Sequence, residues 1–532
     1  MADPHRDNLA LSAALVGGAC VTVFMVIVGT MLLSPAVPRP HSLGDARLQE
    51  AIALSPPAPP SRDNDRIVSA PADMAGDNRT ATLPPAAAMP AAHDSAGTKI
   101  ASTITSAPAD MSTGSVATST ALPGNFPTGG NAKSPVRDAD SQRGLVILQI
   151  GDSHTSADFF SGQVRRLLQQ RYGDGGVGYL TAGKPHIGVR SATMKVAISP
   201  GWTYHAIQHS DNISEFWLSG FNAIASAPGE TLTFTSDNPV PFDSIEIEAM
   251  RQPGGGAIDI SLDGVVKNSV DLDAKAAEPL VVRLRPDGAP NDHVRQVEIR
   301  TRKEGTVSIA SVAIYNRQSG VSYNNIGYPG ATIDLLNKFD GTLMSDDLRR
   351  LDPQIVVISF GTNEASKPNL DPVRYQQNYE KVIDKITAAL PKAKIVLIGP
   401  PDGEERSSHC RGKPAQDIVC RPAADATPGS ASAVSSKPGD CEWQTLPKLE
   451  MVRTVERKIA ERHGFMYWNW ASIMPHDCGA HLWATASPPL MAPDHVHFTI
   501  AGYNKGAEQF VDATLIPMIE KLQVRPNIAA NN

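Results

Sequence analysis

Gly144-Leu145-Val146-Ile147-Leu148-Gln149-Ile150-Gly151-Asp152-Ser153-His154 decides the fold. Leu145 to Ile150 is a short apolar, β-branched run, the pattern of a strand buried on both faces of a parallel sheet. It passes straight into Gly-Asp-Ser-His and then into a helical pattern, with Phe160, Val164, Leu167 and Leu168 on one face and Gly173 as a stop. Strand, turn and helix put Ser153 at the carboxyl end of a strand, where doubly wound sheets gather their ligands.

Downstream the rhythm breaks off and later resumes. From Val196 to Asn316 the chain is strand-like, with polar and apolar residues alternating in Thr231–Thr235, Ser244–Glu248 and Gln296–Arg300, and with Ala257–Leu262 leading into the turn pair Asp263-Gly264. Short alternating strands without helical stretches predict an inserted antiparallel sandwich. After Asn316, further buried strands are expected at Ile355–Phe360, Ile395–Ile398 and Phe465–Tyr467. Helices are expected from Pro372, capped by Asp371, to about Leu390, and from about Leu446 to His463 before Gly464. Thr499 caps a last helix, kinked or ended by Pro517.

Upstream, residues 35–140 are dominated by Ala, Pro, Ser, Thr and Gly, too poor in apolar surface to repay the entropy of ordering. They are expected to form a disordered linker. Leu9 to Ser34 carries no charge and is long enough to span a bilayer. We read it as an uncleaved signal anchor, with a cleaved signal peptide as the alternative. The net charge of −7, without a basic cluster, argues against nucleic acid. Of five cysteines, Cys20 falls in the apolar segment; Cys410, Cys420, Cys441 and Cys478 lack zinc-type pairing and suggest two disulfides with three possible connectivities.

Four blocks carry chemistry. Ser153 in Gly151-Asp152-Ser153-His154 can expose a hydroxyl at a strand-to-helix turn, although Gly-Asp-Ser is also a common turn sequence. Gly330 in Gly327-Tyr328-Pro329-Gly330 lets backbone approach a ligand, or is an ordinary Pro-Gly turn. Asn363 in Gly361-Thr362-Asn363-Glu364 can turn its amide toward the same place, or merely form an Asx turn. In Asp494-His495-Val496-His497, a carboxylate three residues before a histidine can fix its tautomer and leave the other ring nitrogen for a serine. A metal reading of Asp494, His495 and His497 has no further ligand cluster to support it.

Taken in order, these blocks resemble the SGNH (GDSL-type) hydrolase family. The resemblance implies a flavodoxin-like three-layer α/β fold with Ser153 as nucleophile, His497 as general base and Asp494 as its orienting partner. It also implies an oxyanion hole made by the N–H groups of Ser153 and Gly330 and the side chain of Asn363, and it leaves His495 a bystander. Two departures, His154 in the place of the name-giving leucine and the β-rich insert, resemble a subgroup containing peptidoglycan O-acetylesterases with a carbohydrate-binding-module-like sandwich.

The organisation expected is therefore an anchor at 1–34, a linker at 35–140, a hydrolase domain in two parts at 141–195 and 318–525, and a sandwich at 196–317. The function expected is a carbohydrate O-acetylesterase acting on peptidoglycan or a secreted polysaccharide such as cellulose. The alternatives are acyl transfer by the same triad, or a glycan-binding scaffold without turnover. The localisation expected is a single-pass inner-membrane protein with its catalytic domain in the periplasm, with an O-acylated glycan as substrate and a membrane acyltransferase or export protein as a conceivable partner. No cofactor or metal motif is evident. Trp202, Tyr204, Phe216 and Trp217 could stack on sugars, but core packing is the better reading for each, as it is for Tyr467, Trp468 and Trp470. His476, Asp477 and His481 could line the cleft or belong to a loop beside Cys478.

Overall fold

Strand β1 (Leu145–Gly151) is buried along its whole length. Its side chains alternate, Leu145 and Ile147 entering one apolar core and Val146, Leu148 and Ile150 the other. A strand with two cores needs a layer on each face, and the computed structural model provides both. It describes residues 144–522 except 212, 287–291, 319, 340, 408–409, 411–417 and 422–440. The anchor and linker expected at 1–34 and 35–140 lie outside the described residues. No helix among the described residues is long and apolar enough to cross a membrane.

The central sheet is parallel and five-stranded, in the order β13 (Val321–Gly327), β1, β14 (Ile355–Ser359), β15 (Lys394–Gly399), β19 (Met466–Asn469). Numbered along the chain this is 2-1-3-4-5, the flavodoxin-like order, whose switch point lies between β1 and β14. Helices α1 (Phe159–Tyr172) and α6 (Ile500–Phe510) supply Phe160, Val164, Leu168, Tyr503 and Phe510 to one core. Helices α2 (Gly341–Leu351), α3 (Pro372–Ala389) and α4 (Leu449–His463) supply Leu348, Val382, Ile383, Val452 and Ile459 to the other. Asp371 caps α3 as expected, accepting from the Arg374 N–H at 2.7 Å. The last helix is interrupted by a π-helical turn at Val511–Leu515, after which Ile516–Lys521 continues with Pro517 in its first turn.

The insert is a sandwich of antiparallel sheets with its own apolar core. One sheet contains β7 (Ser244–Arg251) and β12 (Val307–Tyr315) at its centre; the other runs through β6 (Thr231–Phe242), β11 (Asp292–Lys303) and β8 (Ala257–Leu262). It begins earlier in the chain than Val196: β2 (Gly178–Thr181) pairs antiparallel with β12. Trp202, Phe216 and Trp217 are buried, so their rings are not presented to a glycan. Tyr204 is half-buried, and its hydroxyl accepts from the Lys184 N–H at 2.7 Å.

Sandwich and hydrolase domain meet through charge. Arg350 on α2 reaches Glu246 and Glu248 of β7 and, at 2.7 Å, Asp347 on its own helix. Glu248 also accepts from the Tyr179 hydroxyl at 2.7 Å and the Ser311 hydroxyl at 2.6 Å, and Asp347 accepts from the Leu218 N–H at 2.7 Å. Buried carboxylates are tolerable only when partnered this densely.

The cysteine-rich stretch forms a three-stranded flap, ordered β16 (Glu404–Arg406), β18 (Trp443–Thr445), β17 (Cys420–Arg421). Cys410 pairs with Cys441 and Cys420 with Cys478, one of the three connectivities left open by the spacing.

Candidate active site

Ser153 opens a single helical turn directly after β1, with Asp152 capping it by accepting the His154 N–H at 3.0 Å. The turn is clamped from below. A buried Asp158–Arg165 ion pair at 3.1 Å holds its far end, and Gln149, whose amide donates to the Thr155 hydroxyl at 2.9 Å, holds the near one. The end of β13 passes so close that a Cβ on Gly327 would stand 2.1 Å from the Ser156 nitrogen, which only glycine allows.

Opposite the serine, Asp494 and His497 share one turn. Asp494 Oδ1 accepts the N–H groups of Val496 (3.0 Å) and His497 (2.9 Å), while Oδ2 lies 2.7 Å from His497 Nδ1. His497 Nε2 in turn lies 2.9 Å from Ser153 Oγ. Burial pushes the Asp494 carboxyl up, but the charge and hydrogen bond of His497 and the two N–H groups outweigh it and hold the group below its usual range. An ionised carboxylate there keeps Nδ1 protonated and Nε2 free to take the serine proton.

Gly330 and Asn363 come to the same end of the sheet. Gly330 is the third residue of a turn closed by the Ala331 N–H donating to the Tyr328 carbonyl at 3.1 Å, and its φ of +72° is the value a type II turn requires there. The Asn363 amide donates one hydrogen to the Ala331 carbonyl at 2.9 Å, leaving its second for another acceptor. Glu364 ties the two turns together, accepting from the Ile333 N–H at 2.7 Å and the Gly361 N–H at 3.0 Å. Burial raises Glu364 to about 7 and Asp152 to about 6.

His154 behaves as an apolar ring in the leucine's place. It lies among Trp470, Phe498 and Tyr503, its Nδ1 is 3.0 Å from the Tyr503 hydroxyl, and burial, followed by the charge of His497, lowers it to about 3. It is neutral at any working pH.

Asp494 and His497 face Ser153, whereas His495 faces Glu404, so the three do not converge on a metal. Glu404, His481 and His495 do bring one donor atom each within 4.8 Å of one another, as do Glu404, Cys420 and Cys478. Glu404 is already engaged, holding His495 Nδ1 at 2.7 Å and accepting the backbone N–H of His481 at 3.3 Å, and the two cysteines are joined. His476 and Asp477 are exposed, and His481 packs toward His495 rather than the serine. Two contributors escaped the sequence reading. Glu364 carries a local signal, a carboxylate at the third position of a capped turn, whereas Glu404 carries none.

Residues 310–505 match the GDSL-like Lipase/Acylhydrolase family. The match begins inside β12 and ends inside α6, taking in Gly330, Asn363, Asp494 and His497, while the insert separates Ser153 from it. Over these residues the chain is a GDSL-like (SGNH) acylhydrolase. The esterase also resembles the solved structure of a peptidoglycan O-acetylesterase, at 24% identity and a TM-score of 0.55, over 72% of this chain and 93% of that one. The hydrolase parts alone could not supply that share, so the likeness extends into the sandwich. A family two carbohydrate esterase from Cellvibrio japonicus aligns over 62% of this chain and 99% of its own at 14% identity, with a TM-score of only 0.22. No curated protein matches the sequence.

Proposed function

We propose that the esterase removes O-acetyl groups from an extracytoplasmic glycan, peptidoglycan or a secreted polysaccharide. The observation that carries the chemistry is the unbroken chain from Asp494 through His497 to Ser153, at 2.7 and 2.9 Å. In this reading His497 Nε2 takes the Ser153 proton as Oγ attacks the ester carbonyl. The tetrahedral oxyanion then settles among the N–H groups of Ser153 and Gly330 and the free amide hydrogen of Asn363. His497 returns the proton to the departing sugar hydroxyl, and the acetyl-enzyme is hydrolysed by a water that the same imidazole activates.

The glycan is supported by the fold shared with a peptidoglycan O-acetylesterase. A periplasmic site, with the chain held in the inner membrane by Leu9–Ser34, is supported by that segment's charge-free length and by four cysteines suited to an oxidising compartment. The test is acetate release from O-acetylated peptidoglycan and acetylated cellulose by the protein and its Ser153→Ala variant. Release that stops in the variant is the expected result. Undiminished release would remove Ser153 from the mechanism, and no release from either protein would favour acyl transfer.

A further inference from the structure

His495 lies between the two residues that face the serine, yet it points the other way. Its backbone has φ +57°, a left-handed conformation that costs a non-glycine residue about 1 kcal/mol or more and persists only where surroundings enforce it. Those surroundings are specific. The ring lies parallel to Trp443 of β18, with centroids 3.6 Å apart and planes 13° from parallel. Its Nδ1 is 2.7 Å from Glu404 Oε2, and the Glu404 N–H donates to the His495 carbonyl at 3.0 Å. Both side chains of the pair are 2% exposed. A carboxylate can only accept, so the bond is made by a proton on Nδ1.

We propose that Glu404 and His495 form a second carboxylate–imidazole pair that positions the Asp494–His497 turn by fastening it to the disulfide-tied flap; the inference rests on the triad reading above. His495 touches no reacting atom. It is a positioning residue, and its effect reaches Ser153 through the peptide it shares with Asp494. The triad needs its hydrogen bonds held to fractions of an ångström, and a misplacement near 1 Å can cost on the order of 100-fold in rate. The turn that carries both partners of Ser153 is clamped on its opposite side by groups that a sequence offset of three residues cannot supply.

The test uses the full chain with p-nitrophenyl acetate, recording kcat, KM and melting temperature. His495→Gly accepts the backbone conformation and deletes the clamp. His495→Asn accepts the conformation too, and places an amide N–H where Nδ1 stood, since both are bonded to Cγ. The expected result is a kcat lower by about 10- to 100-fold in His495→Gly with KM within about twofold, most of it recovered in His495→Asn. Adding Glu404→Ala to His495→Gly should bring little further loss, because the two act as one unit. A His495→Gly protein with full kcat would overturn the proposal, as would an Asn variant no better than the Gly variant. Activity surviving in Ser153→Ala would instead overturn the triad reading, so the two failures are distinguishable.

Discussion

The side-chain amide of Gln208, in the inserted region, donates to the carbonyl of Pro329 at 2.9 Å, immediately before Gly330. Two neighbours reinforce the contact: Lys338 donates to the Ile207 carbonyl at 2.6 Å, and the Tyr328 hydroxyl donates to the Leu218 carbonyl. The insert therefore buttresses the turn assigned to oxyanion binding. Removing the amide in Gln208→Ala should lower kcat by about three- to tenfold, the worth of one hydrogen bond. The melting temperature should scarcely move. Steady-state kinetics beside a thermal melt would check this, and an unchanged kcat would detach the insert from catalysis.

The charged junction between sandwich and hydrolase domain has a different role, which stability should report. Arg350→Met leaves Glu246, Glu248 and Asp347 without their shared cation, all three being 1–2% exposed. Breaking a buried pair by removing one member costs about 3–5 kcal/mol. Urea unfolding should show a loss of that order, and a change below about 1 kcal/mol would mean that the sandwich docks by its apolar contacts alone.

The buried carboxyls near the site set the pH dependence of stability. Asp152 is raised from 3.8 to about 6 and Glu364 from 4.5 to about 7, both chiefly by burial. Each folded-state group holds a proton that the unfolded chain releases, so stability falls as pH rises between the unfolded and folded values. Asp494 and Glu246 are held below their usual values and His154 is lowered from 6.5 to about 3, so their contributions are lost as pH falls through the acid range and partly offset the effect of the two raised carboxyls. The melting temperature should therefore peak at mildly acidic pH and decline toward neutrality. Glu364→Gln, though less stable at every pH, should flatten that decline; an undiminished slope in the variant would assign it to other groups.

What the sequence made legible follows from which interactions are local. The apolar runs of β1, β14 and β15 announce themselves because those strands are buried on both faces. Strand β13 does not, although it is almost wholly buried at the sheet's edge, because Ser322, Asn324 and Asn325 break its apolar pattern. Asn324 is fully buried, donating to the Ile147 carbonyl at 3.1 Å and accepting from the Tyr179 N–H at 2.9 Å, so its polarity serves the junction between the two domains. The start of the sandwich was hidden for a related reason: β2 lies next to the hydrolase elements in sequence and pairs with a strand more than a hundred residues away. Three blocks of the site follow a strand directly, Ser153 after β1, Gly330 after β13 and Asn363 after β14, whereas Asp494–His497 lies in the loop before the last helix and is legible only through its three-residue offset. His495 was set aside for lacking the expected offset, since its partner Glu404 lies 91 residues upstream.

The disulfides give the last prediction. Cys420–Cys478 closes a separation of 58 residues and Cys410–Cys441 one of 31, and chain-entropy reasoning assigns about 4 kcal/mol to loops of such length. Their placement adds a second consequence. Cys420 lies 3.3 Å from Glu404 Oε1, and Cys410 packs with Trp443, so both bridges secure the flap against which His495 rests. The paired replacement Cys420→Ser/Cys478→Ser should lower the melting temperature and, measured well below it, should also lower kcat by several-fold. A purely entropic staple would show only the first effect, because it acts on the unfolded chain and leaves the folded turn in place. Melting and kinetics on the same preparation separate the two: full kcat in a destabilised variant would mean that the flap holds its shape, and the Asp494–His497 turn its position, without the bridge.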